Sequence, residues 1–302
     1  MDIVEPKRPI EGVDYFIGDL AEWETLESVG EFDLVIHSAI IQLPRINEER
    51  MAGYKTNFTA TKNVVDCVMM KGGVKGLILA SSWHVYGEKL RGTVDESYGY
   101  HPDRAADRSR LYVFSKIAQE MFVRYAHEMR DDKTLSVVRL GTILGKGMSE
   151  RTAASIFIRR AVSGEPITPF RDSMYRPMLY VDERDVARAF GNLAEGIISG
   201  KMSSSRSLDH IYNLFHPKPI TIFELAVIIK DLVEELSGGK VIPRIEVVDR
   251  GLQVEYSEIE KDTFRIDVSN SLSRLGIGDL NPPEEVLRRL ISSELERIGL
   301  RT

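Results

Sequence analysis

The chain has 302 residues, 43% hydrophobic and 28% charged, a balance that suits one large globular domain or a main domain with a smaller appendage. A formal charge of −6 argues against nucleic acid and anionic membranes as partners, because no basic excess is left to neutralise phosphates. No run approaches the roughly 18 to 20 apolar residues a bilayer demands, and the opening Met1-Asp2-Ile3-Val4-Glu5-Pro6 lacks a basic-then-apolar leader. The single cysteine, Cys67, excludes an internal disulfide and reads as a small core residue. A cytoplasmic protein is expected.

In chain order, short apolar runs at 13–17, 33–37, 76–80, 136–140 and 178–181 predict strands, several apolar enough to be covered on both faces. A helix is predicted over 57–70, after the second run, and another over 111–129, after the third. In the latter, Phe114, Ile117, Ala118, Met121, Phe122 and Tyr125 recur at three- and four-residue spacing as one apolar stripe, fit for the core or for two neighbours. Beyond residue 145, helices at 153–163 and 222–236 alternate with Pro- and Gly-bearing loops, and 200–207 reads as an exposed loop. The alternation predicts an α/β fold with a doubly wound parallel sheet. Residues 1–145 form it and 176–200 return to it, while 146–175 and 201–302 make a smaller mixed portion that caps a ligand site.

The strongest local signal is Tyr112-Val113-Phe114-Ser115-Lys116. Four-residue spacing sets Tyr112 and Lys116 on one helix face, one turn apart. A phenol is a poor acid or base at neutral pH, and a nearby ammonium favours its phenolate. Upstream, the run at 76–80 ends in Ser81-Ser82-Trp83-His84-Val85-Tyr86-Gly87. A hydroxyl at the carboxyl end of a parallel strand lies where open α/β sheets bind ligands. Ser82 is placed to hold a substrate oxygen while Tyr112 moves the proton, a turn-capping serine pair being the alternative.

Ser82-x-x-Val85-Tyr86-Gly87 followed by Tyr112-x-x-x-Lys116 resembles the extended short-chain dehydrogenase/reductase family, the NAD-dependent epimerase/dehydratase group. Gly18-Asp19-Leu20, Val35-Ile36-His37-Ser38-Ala39, the Asn57, Thr61, Asn63 series, Arg139 to Gly145, Tyr180-Val181-Asp182, Asp185 to Ala189 and Asp267-Val268-Ser269 extend the likeness over most of the chain. The resemblance implies a Rossmann-like domain, with Tyr112 as general acid/base and Lys116 lowering its pKa while holding the nicotinamide ribose. It gives Ser82 the substrate-polarising role. Asp2, Asp19, Leu20, Ser38, Ala39 and Asn57 are implied cofactor contacts beside Tyr112 and Lys116. Trp83, His84, Thr142 and Arg176 are implied substrate contacts beside Ser82, though packing explains Trp83 equally well and His84 reads more readily as a hydrogen-bonded structural histidine. A carboxylate at Asp2 favours NAD over NADP. No metal site is read. A homodimer through the 111–129 helix and the helix before it is implied.

The family opens with a strand and a Gly-x-x-Gly-x-x-Gly turn whose amides meet the pyrophosphate at a helix N-terminus. No such turn occurs among these residues, and Met1-Asp2 matches the end of the family's second strand. The resemblance therefore implies an N-terminally truncated fold, its first βα unit of roughly 30 residues lying outside this sequence. A start codon placed too far downstream is the favoured reason, a degenerate chain the alternative. Poor folding and weak NAD affinity are expected of the 302 residues alone.

Trp83 and His84 stand where sugar-nucleotide dehydratases carry Asp-Glu, which speaks against a 4,6-dehydratase. Thr142 replaces the asparagine with which nucleotide-sugar epimerases hold a phosphate. The leading expectation is a nucleotide-sugar epimerase or related sugar-modifying enzyme. A simple NAD(P)-dependent dehydrogenase or reductase, and a non-catalytic binding protein on the same fold, are the alternatives.

Overall fold

The computed structural model describes residues 1–202 and 208–300. The chain divides into two compact units, Met1–Glu88 with Glu96–Arg139 and Phe190–Asn213 forming the first, and Lys89–Asp95 with Leu140–Ala189 and Leu214–Thr302 the second.

A four-stranded parallel sheet centres the first unit, in the order Leu34–His37, Gly76–Ser82, Thr134–Leu140, Ile211–Leu214. Register is set at its first pair, with Leu34 opposite Gly76 and His37 opposite Leu79. Leu77, Ile78, Leu79, Leu135, Val137, Val138 and Ile211 are fully buried, which is why these strands read as continuous apolar runs rather than alternating ones. Gly76 is required by packing: a Cβ there would sit 2.0 Å from the Thr134 carbonyl oxygen and 3.1 Å from Ile197.

The strand expected at 13–17 does not form. Only Ile17 pairs, in an isolated parallel bridge with Asp2, through Asp2 N–H to Phe16 O at 3.1 Å and Gly18 N–H to Asp2 O at 3.0 Å. The Asp2 carboxylate accepts from the Ile3 and Val4 amides and turns the chain away, so the ladder stops after one rung.

The helix expected over 57–70 starts earlier, as Arg50–Tyr54 running into a π-helical turn Lys55–Ala60 and then Thr61–Met70. The Arg110–Met129 helix forms as expected, but only part of its apolar stripe faces outward: Ile117, Ala118 and Phe122 are half-buried, with Phe122 packed on the core. Phe114 and Met121 are exposed and Tyr125 is 71% exposed, while Val113, Ser115, Lys116, Gln119, Glu120, Val123, Ala126 and His127 are the buried positions. This face can turn inward because its polar groups find partners there, as the site shows.

In the second unit the run expected at 178–181 is two strands. Pro177–Met178 pairs antiparallel with Ile220–Thr221, and Tyr180–Asp182 pairs parallel with Thr142–Leu144. The break at Leu179 lets its carbonyl accept from the Thr142 amide at 2.7 Å. Helices Ala153–Val162 and Ile222–Leu236 match their expected spans closely. The second is started by a capping box, Thr221 Oγ1 accepting from the Glu224 amide at 3.1 Å and the Glu224 carboxylate from the Thr221 amide at 2.9 Å. Asp182 is fixed by Arg289 at 2.7 Å and Asn281 at 2.9 Å. Of the loop expected at 200–207, residues 203–207 lie outside the described residues. No helix among the described residues is long and apolar enough to cross a membrane.

Candidate functional site

Ser82 ends the second strand of the sheet and caps the single 3-10 turn Trp83–Tyr86, its Oγ accepting from the His84 amide at 3.3 Å. Gly87 closes that turn at φ +72°, where a Cβ would lie 2.6 Å from the His101 carbonyl oxygen. The Arg110–Met129 helix packs against both strand and turn, and so brings Tyr112 and Lys116 to the strand end that carries Ser82.

Tyr112 is half-buried, and its ring lies edge-on to that of His84, 5.7 Å between centres, in the turn that Ser82 caps. Burial pushes the phenol above its ordinary value, and the Ser82 hydroxyl opposes that rise by favouring the phenolate. Lys116, 3% exposed, donates to the Ala80 carbonyl oxygen at 2.7 Å. Burial brings its ammonium down to about 7, with the Glu120 carboxylate acting in the opposite direction. Proton linkage then fixes a sign. Between about 7 and the ordinary 10.5 the unfolded chain holds a proton the folded chain lacks, so stability rises with pH across that window. Lys116→Met removes this dependence, and urea unfolding at pH 7 and pH 10 should show it on the order of a few kcal/mol more stable at the lower pH, with the gap closing at the higher.

The segment after the first strand is fastened to the same helix by one motif. Asn57, fully buried in the π-helical turn, accepts from the Ile41 amide at 2.8 Å, donates to the Ile41 carbonyl at 3.0 Å and reaches Ser115 Oγ at 3.1 Å. Its amide thus pairs with Ile41 as a strand residue would, and the wider π turn places it there. Thr61 donates its only hydroxyl hydrogen to the Asn57 carbonyl at 2.9 Å. It therefore accepts from Gln119 at 2.8 Å and from His37 Nε2 at 2.9 Å. Burial, then the charge of Lys116, hold His37 down to about 4, which keeps its ring neutral. Asn63 donates to the Leu20 and Ala21 carbonyls at 3.1 and 3.0 Å, tying the Asp19-Leu20 segment to this helix. Asp19 accepts from the Ala21 amide at 2.9 Å and meets Lys55 at 3.1 Å; the amide is the first cause of its lowered pKa. Ala39 is touched only at the limit of hydrogen bonding, its carbonyl 3.5 Å from Gln119 Nε2, and Ser38 precedes it on the same segment. Asp2 lies at the exposed bridge described above.

Behind the site lies an ion pair that the sequence reading missed. Glu120, with no exposed surface, accepts from Arg139 at 2.9 to 3.2 Å, from Tyr100 at 2.7 Å and from Ser81. Arg139 also donates to Tyr86 OH at 3.0 Å and the Glu96 carbonyl at 3.2 Å, and lies 5.0 and 5.1 Å from the Tyr86 and Tyr100 ring centres. Glu120 extends the Tyr112, Lys116 series by one more four-residue step, and that series was the signal for it.

Thr142 and Arg176 belong to the second unit, Thr142 opening the Thr142–Leu144 strand and Arg176 accepting at its carbonyl from the Ile222 amide at 3.3 Å. The first unit brings together Ser82, Trp83, His84, Tyr112 and Lys116.

Against known proteins, the chain is 27% identical over 248 residues to UDP-glucuronic acid decarboxylase 1 of Danio rerio, covering 80% of this chain and 53% of that protein. It is 31% identical over 137 residues to the decarboxylating sterol-4-alpha-carboxylate 3-dehydrogenase of Bos taurus, covering 44% of this chain and 36% of the relative. It therefore spans about half the length, or less, of these relatives. The solved structure of MoeE5 in complex with UDP-glucose and NAD superposes with a TM-score of 0.72 at 22% identity, covering 97% of this chain and 89% of the other, a likeness of fold. The model of the NAD dependent epimerase/dehydratase family matches residues 5–201, which include the first three sheet strands and the Ser82, Tyr112 and Lys116 segments, and the chain belongs to that family.

Proposed function

We propose that the chain is a sugar-nucleotide-modifying oxidoreductase, foremost an epimerase, in which Tyr112 is the general acid/base. What supports the reading is the packing of the helix that carries Tyr112 and Lys116 against the parallel strand end and turn that carry Ser82, whose hydroxyl favours the Tyr112 phenolate. Tyr112 takes the proton of a substrate hydroxyl or returns it, Ser82 holds the reacting oxygen, and Lys116 holds the nicotinamide ribose. NAD, when bound, supplies the hydride acceptor and donor. Two buried polar groups beside the site suit such a ligand. Gln119 Oε1 and the Trp83 indole N–H are buried without hydrogen-bond partners among the described residues, one on a side chain three residues past Lys116 and the other next to Ser82. A ligand carrying donors and acceptors satisfies both. Asp2, Asp19, Leu20, Ser38, Ala39 and Asn57 are assigned to the cofactor, with Asp2 favouring NAD over NADP, and Trp83, His84, Thr142 and Arg176 to the substrate. Residues 1–145 with 176–200 carry the cofactor; 146–175 and 201–302 serve the substrate, in a cytoplasmic protein.

The test is incubation of the chain with NAD and, separately, UDP-glucose and UDP-glucuronic acid. Conversion of either sugar without net NADH in the near-ultraviolet supports an epimerase. Net NADH would move the reading to the dehydrogenase alternative, and neither conversion nor net NADH at saturating NAD would leave the binding-protein alternative.

We also propose a homodimer through the outward stripe of the Arg110–Met129 helix, where Phe114, Met121, Tyr125 and Met129 are exposed, together with exposed Met51, Tyr54 and Met70 on the preceding helical run. A solvated apolar row of this kind marks an interface more often than a plain surface. Tyr125→Glu should halve the mass measured by light scattering, and a wild-type chain already monomeric at micromolar concentration would end the idea.

A further inference from the structure

Two residues four positions apart tie the segment after the first strand to the Arg110–Met129 helix, as a pair of rungs. Asn57 joins Ile41, through both its amide and its carbonyl, to Ser115 Oγ. One helical turn later Thr61 joins His37 to Gln119, at 2.9 and 2.8 Å. On the far side Ser115 and Gln119 are again four positions apart, and Lys116 lies between them. On the near side Ser38 and Ala39 lie between His37 and Ile41. All six tied residues are buried.

Hydrogen counting gives the Thr61 rung a direction. The one hydroxyl hydrogen goes to the Asn57 carbonyl at 2.9 Å, which leaves both acceptor positions for Gln119 and His37. His37 then donates from Nε2. Among the described residues Gln119 Nε2 otherwise reaches only the Ala39 carbonyl, at 3.5 Å, so Thr61 is the firm end of that tie.

We propose that Thr61 is a positioning residue for Lys116: its hydroxyl locks the helix that carries the lysine to the Ser38-Ala39 segment assigned to the cofactor. The lysine has its own anchor on the same pair of strands. His37 stands opposite Leu79 in the sheet, and the next carbonyl, Ala80, receives the Lys116 ammonium at 2.7 Å. A flexible four-carbon stem reaches one carbonyl from more than one helix position, so that bond alone does not fix the helix. The two rungs do. A single hydroxyl completes the second, and a methyl in its place strands the donors of Gln119 and His37 together. Buried donors are matched almost without exception, so both side chains would move.

The proposal rests on reading Lys116 as the residue that holds the ribose, so one arm of its test is ligand-free. With lysine labelled in ¹³C at Cε, and Lys116 assigned by its loss in Lys116→Met, its titration is followed directly. Thr61→Val removes the hydroxyl at constant shape. It should admit water beside the ammonium and raise the Lys116 midpoint from about 7 toward the ordinary 10.5. Thr61→Ser loses a methyl but keeps the hydroxyl, and should return the midpoint, a rescue that packing alone would not give. Gln119→Leu cuts only the helix end of the rung and covers the case of a valine variant that does not fold. It should move Lys116 the same way while His37, followed in ¹⁵N, keeps its Nε2–H tautomer. In the second arm, calorimetry should show Thr61→Val binding NAD about 3- to 30-fold more weakly than the wild type, with Thr61→Ser near it. A Lys116 midpoint indifferent to Thr61→Val and Gln119→Leu would overturn the proposal, as would a serine variant that shifts as far as valine. So would an Nδ1–H tautomer at His37 in the wild type, or NAD affinity unchanged by Thr61→Val. A wild-type chain that takes up no NAD, yet whose Lys116 midpoint follows the Thr61 hydroxyl, would remove the ribose role and leave the positioning standing.

Discussion

Tyr112→Phe should lower kcat by about 10²- to 10⁴-fold on whichever nucleotide sugar the chain turns over, while its urea midpoint stays near that of the wild type. The stability side follows from what is removed. Tyr112 is half-buried, and loss of one such hydroxyl costs at most about 1 kcal/mol, while the ring and its edge contact with His84 remain. The activity side follows from what nothing else replaces. Lys116 is bound to the Ala80 carbonyl and Ser82 Oγ lies 3.0 Å from His84 Nδ1, so neither takes over the part assigned to the phenol. Retained NAD affinity, read by calorimetry, would separate lost chemistry from a lost site. A phenylalanine variant within threefold of the wild-type rate would remove Tyr112 from the mechanism.

The places of Tyr112, Lys116 and Ser82 in the fold were legible because each depends on a local rule: four-residue helical spacing for the first two, a strand end for the third. The sheet strands at 33–37, 76–80 and 136–140 were legible for a similar reason, since burial on both faces leaves an unbroken apolar run. The run at 13–17 has strand-like composition, yet a strand is defined by its partner, and here the partner is the single residue Asp2. The 111–129 helix shows a deeper limit. Its apolar stripe marks one face correctly, but apolar periodicity does not say whether that face meets the core or another surface. The buried face carries Lys116, Gln119 and Glu120, and only their tertiary partners, Ala80, Thr61 and Arg139, make that tolerable. Arg139 was visible as a motif residue at a strand end; that it faces Glu120, 19 positions earlier, depends on how helix and strand pack.

Arg139→Met should destabilise the chain by about 3–5 kcal/mol, a large share of a domain's usual 5–15 kcal/mol. The cost comes from Glu120 more than from the arginine. Its carboxylate is wholly buried, and after the substitution it keeps only the Ser81 and Tyr100 hydroxyls as donors. Adding Glu120→Leu removes the stranded charge, so the double variant should recover much of the loss, which denaturant midpoints of the two single variants and the pair would measure. Strictly additive losses would mean the two side chains act independently. The pair also reaches the chemistry from behind. Ser81, held by Glu120, is the immediate neighbour of Ser82, and the Glu120 charge favours the ammonium of Lys116 one helical turn away. Glu120→Gln should therefore take Lys116 further below about 7, so that any activity limb set by its ammonium moves to lower pH. Stability and proton chemistry are joined at this carboxylate: the group that lets the polar face of the helix be buried is also the one that favours the charged form of its lysine.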